Sequence, residues 1–149
     1  MSLQKRIIRA VAAASACLVL FTSAGVSVKT PEEVIVRQLV SQRNEAMSRY
    51  FASEISCWEA GQELREVETG RLLEEETASL REYFRTDIDQ VMVFEIREVD
   101  FSYISEDLLC AVVQIRWETA GLEGEECFTE DYSVICEKVG NSFKLVQFF

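Results

Sequence analysis

Carboxylates and tyrosines are the side chains with which this sequence could perform acid–base chemistry, because it contains no histidine. That lack excludes Ser-His-Asp and Cys-His nucleophilic catalysis and the commonest metal ligand. A carboxylate base opposite buried hydrogen-bond donors stays open. The acidic residues alternate with apolar ones, which is typical of the solvent-facing side of a strand. The tyrosines are typical of core residues whose hydroxyl groups reach the surface, so we assign no catalytic residue. The candidates weighed are Glu95, Asp100, Glu130, Tyr83, Tyr103 and Tyr132.

The sequence has no pattern that would bind a cofactor or a metal. Its six glycines are scattered and form no phosphate-binding loop. Two acidic runs, Glu74 to Glu76 and Glu123 to Glu126, lack the alternating oxygen ligands and the turn glycine of a calcium-binding loop. We interpret these runs as a solvated helix face and a hairpin tip, and we predict neither cofactor nor metal.

The composition limits the classes of protein to which this chain could belong. The 149 residues fit one domain plus an N-terminal segment, and 48% apolar with 28% charged residues is usual for a globular chain. The 26 acidic residues outnumber the 15 basic ones, which gives a net charge of −11. Such a surface repels polyanions, so nucleic-acid binding and docking onto anionic lipid through a basic patch are disfavoured.

Residues 1 to 28 have the pattern of a signal peptide or an N-terminal membrane anchor. The basic start at Lys5, Arg6 and Arg9 precedes an apolar run and a small-residue exit at Ala24. Residues 10 to 28 are 19 positions without a charge, close to the roughly 20 that span a membrane, so length does not separate the two alternatives. In both, we expect residues 29 to 149 to lie outside the cytoplasm, secreted or held by a single N-terminal helix.

Four cysteines lie outside this segment: Cys57, Cys110, Cys127 and Cys136. Their spacing matches no zinc site and no Cys-x-x-Cys redox motif, while an exported domain allows two disulfides in three pairings. A hairpin at residues 121 to 124 would bring Cys110 near Cys136 on adjacent strands. The alternation of the strands puts these two on opposite faces unless a bulge intervenes, so the candidate disulfide Cys110–Cys136 competes with buried free thiols.

Three helices are predicted upstream of the strands. Thr30, Pro31 and Glu33 form a helix start with a cap and a capping box, and the apolar stripe that follows extends to about Tyr50. A weaker second helix is predicted from residue 53 to 69, with Gly61 in its middle and Gly70 as its stop. The third covers residues 72 to 85, with apolar residues at spacings of three and four.

The last 60 residues predict a four-stranded antiparallel meander. Runs rich in β-branched and aromatic residues cover 91 to 104, 109 to 119, 127 to 139 and 143 to 149, and the breaks between them are too short for parallel crossovers. In the second run the odd residues from Ala111 to Trp117 should face the core, and in the third run the even ones. The first run changes phase, which predicts a β-bulge near Arg97 and Glu98.

Helices followed by a meander define an α+β domain, with the helices packed on one face of a curved sheet. This order of elements resembles the nuclear transport factor 2-like superfamily, whose cone-shaped α+β roll is also used by ketosteroid isomerase and scytalone dehydratase. The resemblance covers most of residues 30 to 149 and rests on the first helix and the three long strands. It implies a pocket between helices and sheet for a small apolar ligand, or a surface for pairing with another subunit, for example in a homodimer.

We therefore expect an exported, non-catalytic binding module for a small apolar ligand or a protein partner, with membrane contact only through residues 10 to 28 if they are retained. The alternative is a cofactor-independent isomerase or dehydratase with a buried carboxylate. Core packing explains Trp58 and Trp117 as well as a ligand pocket does, whereas the inward aromatic set of the strands is larger than we expect a small core to need. The pocket candidates are Trp58, Tyr83, Phe94, Phe101, Trp117, Phe128 and Tyr132.

Overall fold

The computed structural model describes residues 29–82, 90–121 and 124–149. In these ranges three helices precede a four-stranded antiparallel sheet, which confirms the predicted α+β class. The predicted N-terminal segment, Tyr83, the predicted end of the third helix and the centre of the turn between the second and third strands lie outside the described residues. No helix among the described residues is long and apolar enough to cross a membrane.

The first helix, α1, spans Pro31–Phe51 and begins where predicted. Thr30 is its N-cap, because its Oγ1 accepts a hydrogen bond from the Glu33 amide at 3.2 Å. The Glu33 carboxylate does not return to the cap. It accepts from Arg37 Nε at 2.7 Å, one turn further along the helix.

The second helix, α2, spans Cys57–Val67 and begins four residues later than predicted. Ser56 is its cap and forms a reciprocal capping box with Glu59, so the start is fixed locally. Gly70 was predicted as the stop of this helix. Instead Glu68 leaves the helix to form a parallel bridge with Leu145, and Gly70, at a φ of 61°, is the first residue of α3, which spans Gly70–Glu82.

The strands β1 (Gln90–Ile104), β2 (Leu108–Gly121), β3 (Gly124–Val139) and β4 (Ser142–Phe148) lie side by side in sequence order, as predicted. The register of β1 against β2 shifts between Ile96 and Glu98, which is the expected bulge. Arg37 of α1 donates to the backbone oxygens of Ile96 at 2.7 Å and of Arg97 at 3.1 Å. These hydrogen bonds from Arg37 to the bulge hold α1 against the sheet.

The core lies between α1 and the inner face of the sheet. Ala111, Val113 and Ile115 are at most 4% exposed, as the alternation of β2 predicted. Val134 and Cys136 of β3 are buried beside them. A second, smaller cluster joins the three helices around Ala46, Tyr50, Ala60, Leu64 and Leu80.

We predict that Gly61→Ala raises the free energy of unfolding by about 0.5–1 kcal/mol, since glycine is the poorer residue in a helix interior. A Cβ at this buried position would meet Thr77 Cγ2 at 3.8 Å, an ordinary contact. Urea denaturation measures the change. Gly140→Ala is the control: Gly140 has a φ of 65°, so this substitution should destabilise. A lower stability for Gly61→Ala would mean that α2 and α3 cannot accept a methyl group between them.

Candidate functional site

A cleft opens between the C-terminal half of α1 and one end of the sheet. It has a volume of about 250 Å³, and all four strands and α1 contribute to its walls. Most of its walls are apolar, and Arg43, Asn44 and Ser48 bring polar groups to it from α1. Its other lining residues are Met47, Phe51, Val91, Trp117, Tyr132 and Phe148.

A row of aromatic rings crosses the sheet along this cleft. The Phe94 and Trp117 rings are 6.0 Å apart between centroids, and the Trp117 and Tyr132 rings are 6.0 Å apart at 75°. Tyr132 then stacks on Phe148 at 4.8 Å and 20°. The register places Phe94 directly opposite Trp117. Tyr132 is opposite Val113 and reaches the rings of Trp117 and Phe148 diagonally, because all three side chains lie on the inner face of the sheet. Tilted and stacked pairs of this kind stabilise beyond their buried area by about 0.5–1.5 kcal/mol each.

Arg43 connects the aromatic row to a buried polar cluster. Its guanidinium carbon lies 4.0 Å from the centroid of the Phe148 ring, a cation–π contact. Its Nη1 donates to Asn44 Oδ1 at 2.9 Å, its Nε lies 3.2 Å from Glu68 Oε1, and its Nη2 pairs with Glu76. The side chains of Glu68 and Glu76 are 0% and 13% exposed, so one cation is held between two largely buried carboxyl groups.

Burial changes the acidity of two groups near the cleft. Desolvation, followed by the charge of Glu76, raises the pKa of Glu68 to about 8, although Arg43 opposes the shift. Desolvation and the hydrogen bond to Glu130 raise the pKa of Tyr132 to about 12. At neutral pH Tyr132 is thus a hydroxyl that donates to Glu130 Oε2 at 2.6 Å, and Glu68 is mostly an uncharged acid.

The structure brings two of the predicted pocket residues to the cleft. Trp117 and Tyr132 line it, while Phe94 and Phe101 are partly buried against the core. Trp58 lies on α2 with 71% of its surface exposed and does not reach the cleft. Phe128 shares the inward parity of β3, yet it is 39% exposed because it lies beyond the core cluster.

The carboxylates weighed for catalysis lie at the surface. Glu95, Asp100 and Glu130 are exposed, and so is Tyr103. The buried carboxyl group of this region is Glu68, which sequence analysis missed because it reads as one more acid on a helix. Its partner Arg43 lies 25 residues earlier in the chain, and no local pattern joins the two. Phe148 was missed because it lies at the end of the final predicted strand.

The candidate disulfide Cys110–Cys136 does not form. Cys110 lies opposite Ile135 and Cys136 opposite Leu109, so adjacent register positions send the two sulfur atoms to opposite faces. The four cysteines of the described residues are free thiols. Burial raises the pKa of the Cys136 thiol to about 12, which keeps it protonated and unreactive.

Comparisons with known proteins show the fold and no family. No protein-family model and no curated protein sequence matches the chain. It is similar to the intermembrane space region of the chloroplast protein ARC6, at 15% identity and a TM-score of 0.51, over 76% of this chain and 92% of that one. It also matches the Kfla4162 protein from Kribbella flavida at 14% identity and a TM-score of 0.47, over 76% and 89% of the two chains. The first likeness shows a shared fold, and fold alone does not specify function.

We predict that Glu68 makes the protein less stable as pH rises from about 5 to 8. The folded state, with a pKa of about 8, keeps a proton that the unfolded state releases near the ordinary value of 4.5, so stability falls through that window. The slope has an upper limit of about 1.4 kcal/mol per pH unit for one proton. Glu68→Gln keeps the shape without titrating, so its stability relative to the native protein should increase with pH.

The measurement is the free energy of unfolding from urea titrations at several pH values. Glu75→Gln is the matched control, because this α3 carboxylate is exposed and pairs with Arg71 at 2.6 Å. It should keep the pH dependence of the native protein. A Glu68→Gln curve parallel to the native one would show that Glu68 titrates normally.

Proposed function

We propose that this chain is a non-catalytic binding module that holds a small apolar ligand in the cleft between α1 and the sheet. The supporting observation is the cleft wall formed by Trp117, Tyr132 and Phe148, which lies opposite Met47 and Phe51 of α1. A concave, mostly apolar site with a few polar groups is the usual form of a small-molecule pocket. The volume of about 250 Å³ favours a bicyclic or short-chain ligand, since it lies just below the roughly 300–1,000 Å³ of common pockets.

The charges around the cleft favour a neutral ligand. Arg43 reaches the wall, but its guanidinium already pairs with Glu68 and Glu76. An anionic ligand would therefore compete with Glu76 for this cation. The flat faces of the aromatic row instead offer stacking area, which supports a planar apolar molecule.

A cofactor-independent isomerase or dehydratase is the alternative, and Glu68 is the observation in its favour. Such an enzyme needs a buried carboxyl group with a raised pKa, which Glu68 has. Glu68 is not among the residues that line the cleft, however, and Arg43 lies between it and Phe148. The tyrosine of the cleft, Tyr132, donates to Glu130 and not to Glu68. This arrangement supports binding over acid–base catalysis.

Membership in the nuclear transport factor 2-like superfamily stays a prediction from the order of the elements. We propose also that the domain acts outside the cytoplasm, on the basis of residues 1 to 28 of the sequence. Alkaline phosphatase, which is active only after export, should be active when fused after Lys29. An inactive fusion at this joint, together with an active cytoplasmic reporter fused there, would overturn the proposed export.

Native mass spectrometry of the full chain would detect a ligand retained from the producing cell and the oligomeric state together. For a defined probe we choose N-phenyl-1-naphthylamine, a neutral aromatic amine whose fluorescence rises in apolar sites. We expect it to bind and to raise the melting temperature by about 5–10 °C at a hundredfold excess over its Kd.

We predict that Met47→Trp abolishes this shift, because a larger side chain on α1 would fill the cleft from the helix side. Met47→Leu, which nearly conserves volume, should keep both the fluorescence change and the shift. Equal probe binding by the Met47→Trp and native proteins would place the probe elsewhere and count against the cleft.

A further inference from the structure

The edges of the sheet are protected to different degrees against pairing with another strand. The outer edge of β1 carries three register irregularities and is contacted by Arg37, devices that hinder pairing with another strand. The outer edge of β4 is partly covered by the residues after α2, where Glu68 bridges Leu145 and the Thr69 amide donates to the Leu145 oxygen at 2.9 Å. A third stretch of edge has neither kind of protection.

This stretch is the first half of β3, residues 124–132. Strand β4 pairs with β3 between Val134 and Val139, and the ladder ends with two backbone bonds between Ser133 and Phe149, of 2.8 and 3.2 Å. Within the part of the chain that the structure describes, residues 124–132 pair with β2 alone. Among the described residues, these nine residues of β3 have no neighbouring strand on the side that faces β4.

The register shows which backbone groups face this edge. Ser133 sends both its N–H and its C=O toward Phe149. The backbone groups of alternate residues in a strand point to the same side, and β3 pairs with β2 without a register shift from Gly124 to Glu137. Cys127, Thr129 and Asp131 therefore direct their amide and carbonyl groups to the open side.

The charge and exposure of this edge indicate which kind of segment could pair with it. Residues 124–131 are all exposed, and four of these eight residues are acidic. The neighbouring cation, Arg116 of β2, donates to Cys127 Sγ at 3.2 Å and already pairs with Glu118 at 2.7 Å. A second copy of this chain pairing edge to edge would set acids against acids, which is destabilising. An extended segment with basic residues would meet opposite charges, and its apolar residues on the inner face could cover Phe128, which is 39% exposed.

We propose that an extended basic segment of another protein docks along residues 124–132 of β3 as an additional strand, in line with β4. Its backbone would bond to the amides and carbonyls of Cys127, Thr129 and Asp131. Its lysines or arginines would approach Glu125 and Asp131, whose side chains share the outer face of β3. Such strand addition derives affinity from main-chain hydrogen bonds and specificity from alternate side chains.

The probe is a fluorescent octapeptide of alternating lysine and valine, titrated into the full chain by fluorescence anisotropy. Two derivatives are N-methylated at either the lysines or the valines, so that each loses donors on one side only. Because a docked strand uses one side, we expect one derivative to bind at least about tenfold more weakly and the other to keep its affinity. Equal affinity for all three peptides would mean charge attraction without strand pairing and would overturn the proposal.

Substitutions in the protein test the same contact. Thr129→Pro removes an amide that faces the open edge and leaves the β2 ladder intact, a position where strands tolerate proline. We expect it to weaken the octapeptide at least about tenfold, while Thr129→Val, which keeps the amide, should not.

Amide hydrogen exchange shows whether the edge is open. The amides of Cys127, Thr129 and Asp131 should exchange rapidly in the native protein and become protected with the octapeptide. Protection of these amides without peptide would show that the chain covers its own edge and would contradict the proposal. This outcome would leave the binding of N-phenyl-1-naphthylamine in the cleft unaffected, so the two proposals fail separately.

Discussion

The buried carboxyl group of Glu68 is the constraint on which the arrangement of the helices depends. The residue stands where α2 ends, and its backbone bridges Leu145 of β4. Its side chain is fully buried, and burying a carboxylate alone would be very costly. Two changes reduce that cost: the group holds its proton up to about pH 8, and Arg43 of α1 lies beside it. Both require α1, α2 and the sheet to keep one relative position.

The position of Arg43 in turn shapes the cleft. Its guanidinium covers the face of Phe148, and Phe148 stacks on Tyr132, so the polar cluster and the aromatic row form one continuous set of contacts. Removing one partner of a buried ion pair leaves an uncompensated charge and typically costs about 3–5 kcal/mol. A substitution of Arg43 would therefore act on the cleft twice, through the lost cover of Phe148 and through the loss of the cation that pairs with Glu76.

The strands could be predicted from the sequence because their signals are local. Alternation, short breaks and a change of phase at Arg97 and Glu98 specified the meander, its order and its bulge. The prediction of α2 from residue 53 is wrong, because the capping box of Ser56 and Glu59 starts the helix later and Ser53, at a φ of 59°, lies outside it. Gly70 ends no helix, since its positive φ serves instead at the beginning of α3.

The candidate site was harder to predict because its polar contacts are remote in sequence. Trp117 and Tyr132 followed from strand parity, whereas the pairing of Arg43 with Glu68 depends on where two helices cross the sheet. Parity alone also could not distinguish Tyr132 from Phe128: both face inward, and only Tyr132 is covered by neighbouring rings. An inward-facing residue is thus buried only if other side chains cover it, and the alternation along a strand does not show which residues are covered.

Strand β3 contributes to two surfaces, the cleft and the open edge, through different sets of residues. Its even residues send their side chains to the inner face of the sheet, where Tyr132 lines the cleft. Its odd residues direct backbone groups to the edge, where Thr129 and Asp131 lie beyond the last pair with Phe149. Because the two sets alternate, a side chain in the cleft can change without moving the edge amides, and proline at an odd position leaves the aromatic row in place. Tyr132 is the point of contact between the surfaces, since its hydroxyl donates to Glu130 among the acids of the edge.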